Sequence, residues 1–440
     1  MQFKAFYLWI LSIWCQWKLH PCSGQCINRS AFFCRVDLID MTTDGRIKLA
    51  KLVETEQILD VQKLIVAISP SGPFLTTMGN YFASITYINY REPSFLVPVG
   101  NTINEIELTR ASNLRSFTAG PNTLLDTLKI EQSALDRLPP SLPRMTRLQT
   151  LIVKQGMLSV LRLDMLVENQ QLTSLELSYN HIRQIFPITG RPNTTLSIVK
   201  LGLVGNQLER LDMSVFTAMS KLELLFLREN RLTHLQASIP ITIGKLSTLD
   251  LTDNKLATLS LANLTLPNLA TLSLGFNALK HMSSLPKTLP ALRYLSLDCN
   301  NLTQLDLSYF RPYRNLSQLY VISNQIVTVR TSAPVRLAVA WLNLNNNRIT
   351  SFNINGCDMP NITSLNLANN HLTVIPPVLE RYPKLRLSMD GNPISCNTLL
   401  PYRNELQTSR LKKGQRTFTI TCDTTSSFSV DNDIKVCCDG

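Results

Sequence analysis

The chain has 440 residues, 44% of them hydrophobic and 17% charged, with no low-complexity tract; this excludes a disordered or fibrous protein and leaves a folded one. The 43 Lys and Arg outnumber the 31 Asp and Glu and give a net charge of +12. Clustered cations would favour anionic partners such as glycans or acidic proteins, whereas scattered ones favour only solubility, and most here are scattered.

The first predicted element is a leader. Lys4 precedes an apolar run from Phe6 to Cys15, and the small residues Cys22, Ser23 and Gly24 follow, the order of a secretory signal peptide over residues 1–24. The run of about ten apolar residues is too short for a bilayer span, which needs ~20. No later stretch is long enough, and the C-terminus lacks the tail of a lipid-anchor signal. The mature chain is therefore expected outside the cell. Six N-x-[ST] sequons, at Asn28, Asn193, Asn263, Asn301, Asn315 and Asn361, agree as expected glycosylation sites. Of the ten cysteines, eight remain after the leader: Cys26, Cys34, Cys299, Cys357, Cys396, Cys422, Cys437 and Cys438. They crowd toward the two ends, as disulfides protecting a long stack would.

Residues 25–60 are expected to form an N-terminal cap, with Cys26 and Cys34 close enough in sequence for a disulfide to close the loop between them. From residue 61 a repeat emerges. Val61-x-x-Leu64-x-Val66, Phe82-x-x-Ile85-x-Tyr87 and Ile103-x-x-Ile106-x-Leu108 are degenerate copies. Leu125-x-x-Leu128-x-Ile130 and Leu148-x-x-Leu151-x-Val153 are fuller ones, with Ser133 and Gly156 where later copies carry asparagine. From there Asn180, Asn206, Asn230, Asn254, Asn277, Asn300, Asn324, Asn347, Asn370 and Asn392 recur every 22 to 26 residues. Leucines or their equivalents stand five and three residues before each, as in Leu225 and Leu227 before Asn230, and another stands two residues after.

The chemistry behind this spacing is simple. Two leucines separated by one residue point to the same face of a short strand. One such unit cannot bury them, but stacked units bury them against each other. Asparagine carries both donors and an acceptor, so a column of asparagines can satisfy the amides of successive buried turns. The pattern LxxLxLxxNxL resembles the leucine-rich-repeat family in its extracellular form of about 24 residues. The resemblance implies an α/β solenoid, a horseshoe with a parallel concave sheet, here of about 13 repeats over residues 61–392 and degenerate before 125.

The chain after 392 is expected to form a cysteine-rich C-terminal cap over residues 393–440. Gly391-Asn392-Pro393-Ile394-Ser395-Cys396 looks like the entry to the cap of extracellular repeats. Vicinal Cys437 and Cys438 bond each other poorly, so Cys396 and Cys422 are each expected to take one of them, in either combination. Cys299 and Cys357 sit two repeats apart at different phases and are expected to stay unpaired. A basic cluster, Arg410, Lys412, Lys413 and Arg416, fits either an anionic surface or a solvated loop.

Residues between the leucines line the sheet's concave face, and most are small or polar. Two neighbourhoods depart from this: Val204, Leu224 and Phe226 beside Arg228, and Tyr294, Tyr320, Ile322 and Trp341. Aromatic residues are enriched at binding hot spots, so these eight are the candidate partner contacts, with Trp341 and Tyr320 central; cross-strand packing is the competing explanation. No catalytic constellation stands out. The histidines His181, His234, His281 and His371 are scattered, no H-E-x-x-H, P-loop or G-x-S-x-G occurs, and no paired C-x-x-C offers a zinc site. No enzyme activity, cofactor, metal or nucleic-acid partner is expected.

The signal peptide, short N-terminal cysteine pair, repeats and vicinal Cys437-Cys438 together are similar to the mosquito leucine-rich immune protein family. That resemblance implies a haemolymph protein of innate immunity acting with complement-like thioester proteins. Longer members continue into a coiled coil. Here the chain ends at Gly440 and Leu399 to Leu411 offers no sustained heptad, so the likeness is to a short form and coiled-coil pairing is not carried over. A matrix or developmental ligand-binding protein is the alternative, and an enzyme inhibitor a third reading.

Overall fold

The computed structural model describes residues 28–30, 33–40, 42, 58–66, 75, 82–121, 124–191, 193–282, 289–417, 426–431 and 434–438. The leader, Cys26 and Cys422 lie outside these residues; Asn28 and Cys34 lie in strands whose side chains are not described. The chain divides into two compact units, Met1–Gln207 with Ala218–Leu222, and Leu208–Thr217 with Glu223–Gly440.

In the first unit the apolar spacing becomes a row of aligned residues. Leu64, Ile85, Ile106, Leu128, Leu151, Leu175 and Leu201 stand opposite one another on successive parallel strands, and all are buried. The stretches that the sequence shows only as degenerate copies are strands of the same sheet: Ile58–Val66, Phe82–Tyr87 and Glu105–Leu108. The strand Phe33–Asp40 pairs in parallel with Ile58–Val66 before them. Behind the sheet, Tyr87, Tyr90, Phe95 and Phe117 pack ring against ring, with centroids 5.3 to 5.6 Å apart.

The second unit repeats the arrangement with Leu225, Leu249, Leu272, Leu295, Leu319, Leu342, Leu365, Leu387 and Leu411 in one row. Each unit is thus a solenoid of stacked parallel strands, the leucine-rich-repeat fold. The return path of each repeat runs through short outer strands and 3₁₀ turns. Gln304–Asp306, Thr328–Arg330 and Ser351–Phe352 make one outer parallel ladder, and Leu307–Phe310 is a 3₁₀ helix that buries Leu307 and Phe310.

The asparagine column does what its chemistry allows. Asn254 Nδ2 donates to Leu227 O at 3.0 Å in the preceding repeat and to Leu251 O at 3.1 Å in its own, while its Oδ1 accepts from Leu232 N at 3.0 Å. The same contacts recur at Asn206 in the first unit and at Asn277, Asn300, Asn347, Asn370 and Asn392 in the second. Gly156 takes the asparagine place because a Cβ there would lie 2.8 Å from Asn180 Oδ1.

The residue before each ladder asparagine, or before Ser133 and Gly156 in its place, is left-handed whatever its type. Gln132, Gln155, Tyr179, Glu229, Asp253, Phe276, Cys299, Ser323, Asn346 and Asn369 all have φ between +52° and +58°. A bulky residue there carries local strain, which the ladders on either side hold in place.

Two outer turns share a carboxylate device. Asp212 accepts backbone N–H bonds from Ser214 at 2.9 Å and Ser238 at 3.0 Å, and Asp306 does the same for Ser308 and Ser332 at 3.0 and 3.1 Å. Burial alone would push the Asp212 carboxyl up, but these donors outweigh it and bring it to about 2. A carboxyl depressed on folding stabilises the fold above its unfolded pKa, near ~4, and that stability is lost as pH falls through the folded value. Asp212→Asn is therefore expected to flatten the dependence of the unfolding midpoint on pH between about 4 and 2. An unchanged slope in acid denaturation of the two proteins would refute this.

At the C-terminal end, Leu411–Lys412 adds a last parallel strand beside Arg386–Ser388. A small antiparallel sheet follows, with Ile434–Cys438 between Gln415–Thr417 and Ser426–Ser429. Of the two cysteine combinations left open by the sequence, Cys396 bonds Cys438, with a Cα separation of 5.1 Å, and ties the helix Cys396–Leu399 to the central strand. Cys437 is also disulfide-bonded. Cys299 and Cys357 are free thiols. Burial pushes Cys357 up to about 11, leaving it an inert buried thiol.

Candidate functional site on the open face of the sheet

Three side chains per strand leave the sheet away from the core, at positions six, four and two before the ladder asparagine. On the first unit this face is charged and satisfied within the chain. Lys129 Nζ lies 2.5 Å from Glu105 Oε1, and Thr86 Oγ1 donates to Glu107 at 3.0 Å. Glu176 lies along the sheet, accepts from Ser178 Oγ and sits 3.7 Å from Lys200. Gly202 leaves it that room, since a Cβ there would be 2.2 Å from its Oε1. Val204, a candidate contact, is half-buried and donates its N–H to Ser178 Oγ at 3.1 Å.

On the second unit, Leu224 and Phe226 are half-buried and stand opposite Thr248 and Asp250. Exposed Arg228 pairs with Glu229 at 3.0 Å.

The other candidates are drawn together more closely. Tyr294, Gln318 and Trp341 are in register on three adjacent strands, as are Ser296, Tyr320 and Asn343. The rings of Tyr294 and Tyr320 meet diagonally, centroids 5.3 Å apart and planes 37° to each other. Trp341, 48% exposed, stands one strand beyond Gln318, and Ile322 is half-buried on the Tyr320 strand. The two tyrosines form one contact. Trp341 extends the surface without stacking on them.

One supporting residue was not among the sequence candidates. At the middle outward position, Asp250, Asn343 and Asn366 each use Oδ1 to accept the N–H two residues on, at 3.0, 3.2 and 3.0 Å. Tyr320 has no side-chain acceptor for that amide. Asp298, from the neighbouring strand, supplies it: Asp298 Oδ1 accepts from Ile322 N at 2.8 Å and Oδ2 from Ser296 Oγ at 2.8 Å. Burial pushes the Asp298 carboxyl up against the pull of these donors. Asp298 thus lets an aromatic occupy position 320 without orphaning a backbone donor.

The electrostatics of this stretch differ from those of the chain. Over six strands, from Thr248–Asp250 to Ser364–Asn366, no outward position is Lys or Arg, in a protein of net charge +12. In the C-terminal basic cluster, Arg410 Nη2 donates to Leu379 O at 2.7 Å, exposed Lys412 lies 3.7 Å from Asp390, and Lys413 is buried; the side chain of Arg416 lies outside the described residues.

Asn193, Asn263, Asn301, Asn315 and Asn361 are exposed. None occupies an outward strand position. Asn315 and Asn361 lie where their strands are entered, each nine residues before a ladder asparagine, and Asn301 lies just after one. Among the described residues, no helix is long and apolar enough to cross a membrane and no group of His, Cys, Asp and Glu is placed to hold a metal ion.

Comparison with known proteins agrees with this fold. Leucine-rich-repeat family models match residues 290–349 and 361–381. Podocan-like protein 1 of Homo sapiens is 33% identical over 114 residues, 26% of this chain, so the match spans about a fifth (22%) of that relative's length. Among solved structures, a leucine-rich-repeat protein of Leptospira interrogans superposes with a TM-score of 0.60 at 22% identity, over 80% of this chain and 90% of the other. The APL1 leucine-rich-repeat domain gives 0.52 at 20% identity, over 85% and 90%. The LRIM1/APL1C complex gives 0.51 at 18%, over 94% and 70%. At these identities the structural likeness establishes the fold.

Proposed function

We propose that this chain is a secreted, non-enzymatic binding protein that holds a macromolecular partner on the open face of its second unit, with Trp341 and Tyr320 at the centre of the contact. The observation that carries the reading is the aromatic surface of Tyr294, Tyr320 and Trp341 on three adjacent strands, supported from below by Asp298. Aromatic side chains held on a rigid sheet bury much area for little loss of conformational freedom, the property of binding hot spots. The absence of sequons from this face leaves it accessible in a glycosylated protein.

The role we assign is innate-immune recognition or scaffolding in body fluid, with complement-like thioester proteins as partners. The cysteine arrangement and the fold-level likeness to the APL1 domain and to the LRIM1/APL1C complex, itself an assembly of two such proteins, support it. The test is affinity capture from extracellular fluid under non-reducing conditions, with native protein and with Trp341→Ala and Tyr320→Ala. Partners held by the native chain should be lost with either variant. Equal capture by all three removes the assigned face, and recovery of monomer alone removes the immune-complex reading.

A further inference from the structure

We infer that the group this face receives is an uncharged, hexose-based glycan; this rests on the proposed use of the same face and names the chemistry of what is seated there. An anionic ligand needs cations, and none stands at an outward position over the six strands. A strongly cationic one would approach a chain of net charge +12. It would find only the carboxylates of Asp250 and Asp298, which already accept N–H bonds from Thr252 and Ile322. What remains complementary is a ligand without charge.

The polar groups then narrow the choice. Gln318, Asn343 and Asn366 surround the aromatic rings on adjacent strands. Among the described residues no hydrogen bond engages the Gln318 amide group or Nδ2 of Asn343 and Asn366, so six N–H donors and a carbonyl acceptor are open, by the chemistry of the primary amide. An array of unused donors and acceptors beside apolar ring faces suits a molecule that is itself both. A pyranose presents hydroxyls around its edge and an axial C–H face that lies flat on an aromatic ring. Trp341 lies one strand spacing from the Tyr320 strand and two, roughly 10 Å, from that of Tyr294, a span of about two linked sugar rings at its widest.

The experiment is titration of the full secreted chain with mannohexaose and with chitohexaose, and with a heparin hexasaccharide as the anionic comparison. The readout is calorimetry together with the part of the tryptophan emission that disappears in Trp341→Phe. Saturable binding of a neutral hexasaccharide is expected, with a change in the Trp341 emission and no binding of heparin. Trp341→Ala should weaken it about ten-fold, the worth of one stacked ring, and Trp341→Phe much less. Circular dichroism identical to native confirms that the variants fold. No saturable binding of either neutral sugar, binding unmoved by Trp341→Ala, or binding of heparin alone overturns the inference. If partner capture still depends on Trp341 while the neutral sugars fail, the protein-binding reading stands and only the glycan is lost; if neither depends on Trp341, both fall.

Discussion

Replacing Asn347 by alanine is expected to cost the fold about 3–5 kcal/mol, among the largest effects of any single polar substitution in the chain. Asn347 is buried, donates from Nδ2 to Val321 O at 2.9 Å and Leu344 O at 3.0 Å, and accepts at Oδ1 from Ile326 N at 3.1 Å. Alanine removes all three partners at once, and each backbone group is left in an interior that water does not reach. A buried polar group without a partner costs roughly 1–3 kcal/mol, against about 1 kcal/mol for a hydrogen bond lost at the surface. Because each repeat leans chiefly on its neighbours, hydrogen exchange should accelerate most in the repeats around Asn324 and Asn370. Asn347→Asp sharpens the test. It keeps an acceptor for Ile326 N but turns a second oxygen toward two carbonyls, so the introduced carboxyl titrates higher in the folded than in the unfolded chain. A carboxyl raised on folding destabilises as it ionises, so the damage should shrink as pH falls through the raised folded value and be least below the unfolded value of about 4. Urea denaturation at pH 7 and pH 3.5 reads both effects. A loss under 1 kcal/mol for Asn347→Ala, or no recovery of Asn347→Asp in acid, would show that the ladder is not what holds the turns.

The same asparagine explains why so much of this fold is legible in the sequence. Leucine at fixed spacing and asparagine at one phase act locally in type and position, so a reader who knows what a buried turn needs can find them. Before Asn180 the asparagine is gone, and before residue 125 the copies show only degenerate apolar spacing; the strands at Phe82–Tyr87 and Glu105–Leu108 are nonetheless full members of the sheet. The left-handed position before each asparagine is hidden for a different reason. Tyr179, Phe276 and Cys299 are residues no turn rule would place at positive φ, and the conformation is imposed by the ladders around them. The outward aromatics were legible because strand alternation is exact enough to phase. The role of Asp298 was not, because it acts across strands on a backbone amide, and pairing across repeats leaves no local trace. The path of the outer turns, 3₁₀ helices and two- or three-residue strands, also lacks a periodic signature.

Trp341 and Leu342 are adjacent, and substituting each by alanine should separate stability from binding. Leu342 points into the core, 1% exposed, between Leu319 and Leu365 in the leucine row. Removing its side chain loses apolar burial and leaves a cavity that a stack of fixed strand spacing cannot close, so Leu342→Ala is expected to cost about 2–5 kcal/mol. Trp341 points the other way, 48% exposed, against the polar side chains of Gln318 and Ser364. If its purpose were to hold the sheet together, Trp341→Ala would also cost about 1 kcal/mol or more through lost cross-strand contact. If its purpose is to meet a partner, stability should move by no more than about 0.5 kcal/mol while binding falls. Denaturation midpoints and capture assays on the two variants decide between these. A Trp341→Ala protein that unfolds as easily as Leu342→Ala would make the aromatic surface an element of the sheet, and the open face would lose its claim as the binding site.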